Sequence, residues 1–96
     1  MFGQMKQLME MKKQADKIKR ELENITAECE DTRGIKIIID GAQNFKSVEI
    51  DPSFLNESNK EGLEKDLLRS MNAAIKKSQG MAAKKMASVM PGMPGM

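Results

Sequence analysis

The first quarter of the chain has the periodicity of an amphipathic helix. From about Gln4 to Asn24, apolar residues recur at alternating spacings of three and four, which places them on one side of a helix. These residues are Leu8, Met11, Ala15, Ile18, Leu22 and Ile25. The row covers only about two and a half heptads, which is less than a free coiled coil needs. We therefore expect it to pack against a sheet, another helix or a second copy of the chain.

Residues 25–52 show instead the two-residue alternation and the β-branched composition of strands. The predicted strands are Ile25–Asp31, Ile35–Asp40 and Phe45–Ile50, joined by turns at Thr32-Arg33-Gly34 and Asp40-Gly41-Ala42-Gln43-Asn44. The Asp-Gly pair and the nearby Asn44 supply the backbone freedom of a tight hairpin, and Pro52 cannot extend the ladder. The pattern predicts a three-stranded antiparallel meander.

Alternation also predicts which side of the middle strand faces the core. The odd-numbered isoleucines share one side, which we expect to be buried: Ile35, Ile37 and Ile39. Ile38 lies on the opposite side and should be less buried. Cys29 shares a side with the apolar residues of the first strand, so we expect a buried, inert thiol. A disulfide between the Cys29 residues of two chains is the alternative.

A second amphipathic helix follows the strands. Residues 53–55 form a turn, and Ser58-Asn59-Lys60-Glu61 has the form of a capping box, so we place the start of the helix at Ser58. Its apolar side is expected to contain Leu63, Leu67, Leu68, Met71, Ala74, Ile75 and Ala82. Pro91 cannot continue the helix. We therefore predict one domain over residues 1–89 and a flexible Met/Pro/Gly tail over residues 90–96.

The composition argues against an enzyme. The 96 residues contain no histidine and one cysteine, so the usual general base and a zinc cluster are both missing. No glycine motif that cradles a phosphate is present. We expect no catalytic residue, cofactor, metal or small-molecule substrate. No apolar run approaches the roughly 20 residues of a membrane span, so we expect a cytoplasmic protein without a membrane partner.

Charge is unevenly distributed along the chain, although the net charge is only +2. Basic residues predominate in the two predicted helices, and acidic residues predominate in the strands between them. Four basic residues lie opposite the apolar side of each helix, and we name these sets the first and second basic faces. The first basic face consists of Lys6, Lys13, Lys17 and Arg20, and the second of Arg69, Lys76, Lys77 and Lys84. Each face is either an ordinary solvated surface or a contact for nucleic-acid phosphates.

Three stretches carry a resemblance to known proteins. They are Met5-Lys6-Gln7-Leu8-Met9, the hairpin that ends in Ile50-Asp51-Pro52-Ser53-Phe54-Leu55, and Met86-Ala87-Ser88-Val89 with Pro91-Gly92. In this order they resemble the YbaB/EbfC family of bacterial nucleoid-associated DNA-binding proteins. The resemblance implies an α+β fold with an N-terminal helix, a three-stranded antiparallel sheet and a long C-terminal helix. It also implies a homodimer whose helices project like tweezers.

The resemblance implies a function as well. The chain should bind double-stranded DNA in the nucleoid with little sequence selectivity, and contribute to nucleoid organisation and gene regulation. Both basic faces are the candidate DNA-binding residues. The alternative is a chaperone-like or protein-interaction dimer that grips a protein partner with its helices. The ten methionines suit adaptable packing. Binding of Cu(I) by Met86, Met90, Met93 and Met96 is a minor alternative.

Overall fold

A computed structural model describes residues 2–89. The elements are helix α1 (Phe2–Glu23), strands β1 (Thr26–Thr32), β2 (Ile35–Asp40) and β3 (Phe45–Ile50), and helix α2 (Lys60–Val89). The strands form one antiparallel sheet in the order β1-β2-β3. This arrangement confirms the predicted α+β fold of helix, meander and long helix. The predicted tail, residues 90–96, lies outside the described residues.

The core lies between α2 and one face of the sheet. Ile35, Ile37 and Ile39 are fully buried, whereas Ile38 is only half-buried, which confirms the predicted alternation. Cys29 and Ala74 complete the buried apolar set, so the thiol is buried as expected. α2 packs against β1 and β2. The same face of β3 is therefore left without a cover from α2.

The start of α2 differs from the prediction. Residues Glu57–Asn59 form a single 3₁₀ turn, and the α-helix begins at Lys60 rather than at Ser58. The Ser58 Oγ donates a hydrogen bond to Asn56 Oδ1 at 2.6 Å instead of capping the helix. The capping-box interpretation of Ser58 is therefore wrong, because a neighbouring side chain competes for its hydroxyl.

The packed side of α2 is also rotated from the predicted one. Ser70 and Ser78 are buried, while Leu68 is 63% exposed. The Ser78 Oγ donates to the Asp40 carbonyl at 2.7 Å, and the Ser70 Oγ lies 3.3 Å from Thr32 Oγ1. Small serines let the helix approach the sheet closely, and their hydroxyls find partners there. The prediction that Leu68 lies on the packed side, which rested on hydrophobicity alone, is therefore wrong.

The hairpin turn between β2 and β3 is stabilised by Asp40. Its Oδ1 accepts from the backbone N–H groups of Ala42 and Asn44, and its Oδ2 accepts from the Asn44 side chain. Gln43, not Gly41, adopts the positive φ, at 67°. The expected role of Gly41 as the flexible turn residue is thus wrong. Gly41 is needed for space, since an added Cβ would lie 2.9 Å from the carbonyl oxygen of Leu22 at the end of α1.

Candidate nucleic-acid interface

The first basic face is exposed along the whole of α1. Lys6, Lys13, Lys17 and Arg20 are all exposed, and none of them forms an ion pair within residues 2–89. The opposite side of α1 is half-buried at Ile18 and Leu22, where it faces α2. Four cations are consequently available to an anionic partner on one side of a helix.

Two further cations extend this surface. Lys12 and Lys19 are exposed and without an ion pair in the described part of the chain. On a helical projection at about 100° per residue they lie between the first basic face and the apolar side. The sequence analysis missed them because it selected only residues opposite the apolar row. A count of all basic residues on the exposed half of the helix would have included them.

The second basic face is divided in the structure. Arg69 Nε lies 3.2 Å from Asp31 Oδ2, and its guanidinium also donates to Thr32 Oγ1 at 3.1 Å. Lys77 Nζ donates to the Glu28 carbonyl oxygen at 2.6 Å. Arg69 and Lys77 are exposed, as expected, but both already have partners within the chain. Their long side chains reach acceptors on β1, which runs beside this flank of α2.

The other two members of the second basic face remain accessible. Lys76 and Lys84 are exposed and have no ion-pair partner among residues 2–89. Neighbouring Lys85 is different, because its Nζ lies 3.6 Å from Glu21 Oε2 of α1. That ion pair links the two helices beyond the sheet. The helices thus present a larger basic surface on α1 and a smaller one on α2.

The outer face of the sheet has the opposite character. Glu28 and Glu49 flank Lys36 there, and Lys36 Nζ lies 3.2 Å from Glu28 Oε1. The hydrogen bond to Glu28, together with the charges of Glu28 and Glu49, raises the pKa of Lys36. This lysine is fully charged but already neutralised by its neighbours. The face as a whole is acidic, which disfavours contact with phosphate there.

Residues 1–93 match the family model of the YbaB/EbfC DNA-binding family. The chain belongs to this family. YbaB/EbfC proteins are nucleoid-associated DNA-binding proteins, and the match covers both helices and the sheet between them. Within the described residues, neither helix has an apolar stretch long enough to cross a membrane.

This YbaB/EbfC chain also exposes two apolar surfaces. The first, which we name the sheet patch, consists of Phe45 and Val48 on β3 with Leu68 and Met71 on α2. Val48 pairs with Ile37 across the ladder, so it lies on the core face of the sheet, yet it is 47% exposed. Leu68 and Met71 lie on the flank of α2 opposite the one that contacts β1. The sheet patch is therefore an uncovered continuation of the core.

The second apolar surface is a groove between the two helices, which we name the interhelix groove. It encloses about 400 Å³ and is lined by Met11, Gln14, Ala15, Ile18, Lys19, Leu22 and Met86. Most of the lining comes from the apolar side of α1, and Met86 contributes from α2. The groove lies opposite the first basic face, so an occupant of the groove would leave those cations free.

Proposed function

We propose that this chain is a homodimeric, non-catalytic nucleoid protein that binds double-stranded DNA with little sequence selectivity through both basic faces. The observation that carries the proposal is the first basic face, whose four cations are exposed and free of ion pairs within residues 2–89. Lysine and arginine on a smooth helix surface neutralise phosphates but do not read base edges. Such binding supports roles in nucleoid organisation and gene regulation.

Salt dependence is the direct test of this mode of binding. Each phosphate contact releases counterions, so its loss should lower the slope of log affinity against log salt by roughly one. Lys13→Gln with Lys17→Gln should therefore weaken binding and reduce the slope by about two for each chain that contacts DNA. Lys36→Gln with Lys60→Gln is the matched control. It removes the same charge from residues that already pair with Glu28 and Glu64.

The second basic face should contribute less than its four residues suggest. Lys76→Gln should lower the salt slope, whereas Lys77→Gln should change it little because Lys77 already donates to the Glu28 carbonyl. Equal affinities and slopes for all these variants and the wild type, in correctly folded protein, would exclude the helices as the DNA surface.

The sheet patch supports the proposed homodimer. A chain of 96 residues has a thin core, and the patch would place four more apolar side chains in a shared one. Light scattering should give twice the chain mass of 10.7 kDa at micromolar concentration. Leu68→Asp should produce monomers. Leu55→Asp should not, although Leu55 is as exposed as Leu68, because it lies outside the sheet patch.

One observation favours the alternative of a protein-binding dimer. The interhelix groove is lined mostly by apolar side chains and is open to solvent. A groove of this kind suits an apolar peptide segment, as in helix-in-groove recognition. If the wild-type dimer does not bind duplex DNA even at about 50 mM salt, where phosphate contacts are strong, this alternative replaces the DNA-binding proposal.

A further inference from the structure

Both helices extend beyond the sheet side by side, and the described part of α1 extends further than that of α2. The Leu22 carbonyl of α1 and the Ser78 hydroxyl of α2 both contact the Asp40–Gly41 turn. From this turn α1 runs back 20 residues to Phe2, and α2 runs on 11 residues to Val89. At 1.5 Å per residue these arms measure about 30 Å and about 17 Å. The N-terminal ~13 Å of α1 therefore extends past the described end of α2.

The apolar side of α1 continues along this unaccompanied part. Leu8 is 65% exposed and Met11 is 61% exposed, and both lie in the same row as the residues that line the interhelix groove. Gln4 and Gln7 border the row, so this side of the helix has no charge between the groove and the start of α1. An occupant should therefore be uncharged and apolar, with backbone groups that glutamine side chains can meet.

The segment that follows α2 has these properties. Residues 90–96 contain only methionine, proline and glycine, and they begin one helical turn after Met86, which lines the groove. Proline cannot continue an α-helix and is compatible with the polyproline II conformation, which has three residues per turn. Met90, Met93 and Met96 are spaced by three, so they would form one row. At about 3.1 Å per residue the seven residues reach about 22 Å. This is more than the ~13 Å by which α1 extends past α2.

We propose that residues 90–96 bind along the apolar row of α1 in their own chain, from the interhelix groove towards Leu8. The methionine row would cover Met11 and Leu8 with adaptable side chains, and the glutamines would bond to backbone carbonyls that polyproline II leaves free. The segment would fasten the projecting part of α1 to α2. The first basic face, on the other side of α1, would stay exposed. The proposal does not depend on DNA binding.

Disulfide trapping tests the position of the segment. In a full-length Cys29→Ala background, Met11→Cys with Met93→Cys should form a disulfide at least about 10-fold faster than Lys13→Cys with Met93→Cys, because binding raises the effective concentration on one side of α1 only. The matched control places its cysteine two residues further along, on the first basic face. Circular dichroism confirms that both variants are folded.

Three results would overturn the proposal. Equal trapping rates would mean that the segment does not prefer the apolar row of α1 to the first basic face. A disulfide that joins two chains on a non-reducing gel would assign the groove to the segment of a second copy. A chain truncated after Val89 provides an independent measurement without cysteine substitutions. Its α1 amides near Met11 should exchange with solvent several-fold faster than those of the full chain, and unchanged exchange would also exclude binding.

Discussion

Substitution of Gly41 by alanine tests how closely α1 is joined to the sheet. The Gly41 N–H donates to the carbonyl oxygens of Leu22 and Ile25, at 2.9 and 3.0 Å. A Cβ at this position would lie 2.9 Å from the Leu22 oxygen and 3.0 Å from Ile25 Cγ1. The Leu22 oxygen belongs to the backbone and cannot rotate away. The end of α1 must therefore move to accommodate a single methyl group.

The expected cost follows from these contacts. Extra volume in a packed site costs about 1–3 kcal/mol, and a weakened hydrogen bond costs about 0.5–1.5 kcal/mol. We expect Gly41→Ala to lower the free energy of unfolding by about 2–4 kcal/mol. Urea unfolding measures this value, at one fixed protein concentration because the stability of the proposed dimer would depend on concentration.

Gly80→Ala is the matched control for the same chemical change. Gly80 lies within α2, and an added Cβ would meet no atom within 4 Å. Alanine has the higher helix propensity, so this variant should be more stable by about 0.5–1 kcal/mol. Changes of opposite sign in the free energy of unfolding would support the close contact between the end of α1 and Gly41, which is the joint between α1 and the sheet. A Gly41→Ala variant within about 0.5 kcal/mol of the wild type, the usual range of a neutral surface change, would refute the close approach of α1.

Three further predictions concern the sheet and its turns. Ile37→Ala should cost about 2–5 kcal/mol and Ile38→Ala less, and equal losses in denaturant melts would contradict the observed register. Gly34→Ala should be destabilising for two reasons. Gly34 has a φ of +97°, and an added Cβ would lie 2.6 Å from Phe54 Cε2. When Phe54→Ala is added to Gly34→Ala, it should relieve only the contact between the two side chains. About 1–3 kcal/mol of backbone strain at residue 34 should remain in unfolding measurements. Burial would raise the pKa of Asp40, but its hydrogen bonds outweigh burial and lower it below 3.8. Its stabilisation is therefore present above that pH and lost in more acidic solution, and Asp40→Asn should flatten this part of the curve of stability against pH.

The strands could be predicted closely because their signals are local. Alternating β-branched residues and the Asp-Gly turn placed β2 and β3 at their observed bounds, and β1 within one residue. The reason for Gly41 could not be obtained in this way. It depends on the approach of Leu22 from α1, and a contact between distant residues leaves no trace in a turn motif. Asp40 supplies the local order of the turn, while Gly41 supplies the space for the helix.

The exposure of the basic residues could be predicted from helical periodicity, but their partners could not. On α1 the periodicity of apolar residues correctly placed Lys13 and Lys17 at exposed positions. On α2 the same reasoning placed Arg69 and Lys77 on the exposed side, but it could not show that their side chains have partners on β1. Whether a lysine is free for DNA depends on what else its side chain can reach. That information appears only when the sheet and helix are packed together.

The length of α1 separates most of the first basic face from the acidic outer face of the sheet, an effect that composition alone does not reveal. The outer face of the sheet is acidic and would oppose phosphate binding close to it. Lys6 lies 16 residues before Leu22, or about 24 Å along the helix from the joint with the sheet. Charges in solution are screened over about 8 Å at physiological salt. The projecting part of α1 therefore carries Lys6 about three screening lengths from the joint with the sheet, whereas Arg20 lies within one screening length of it. A shorter helix with the same composition would hold its lysines in the field of the glutamates.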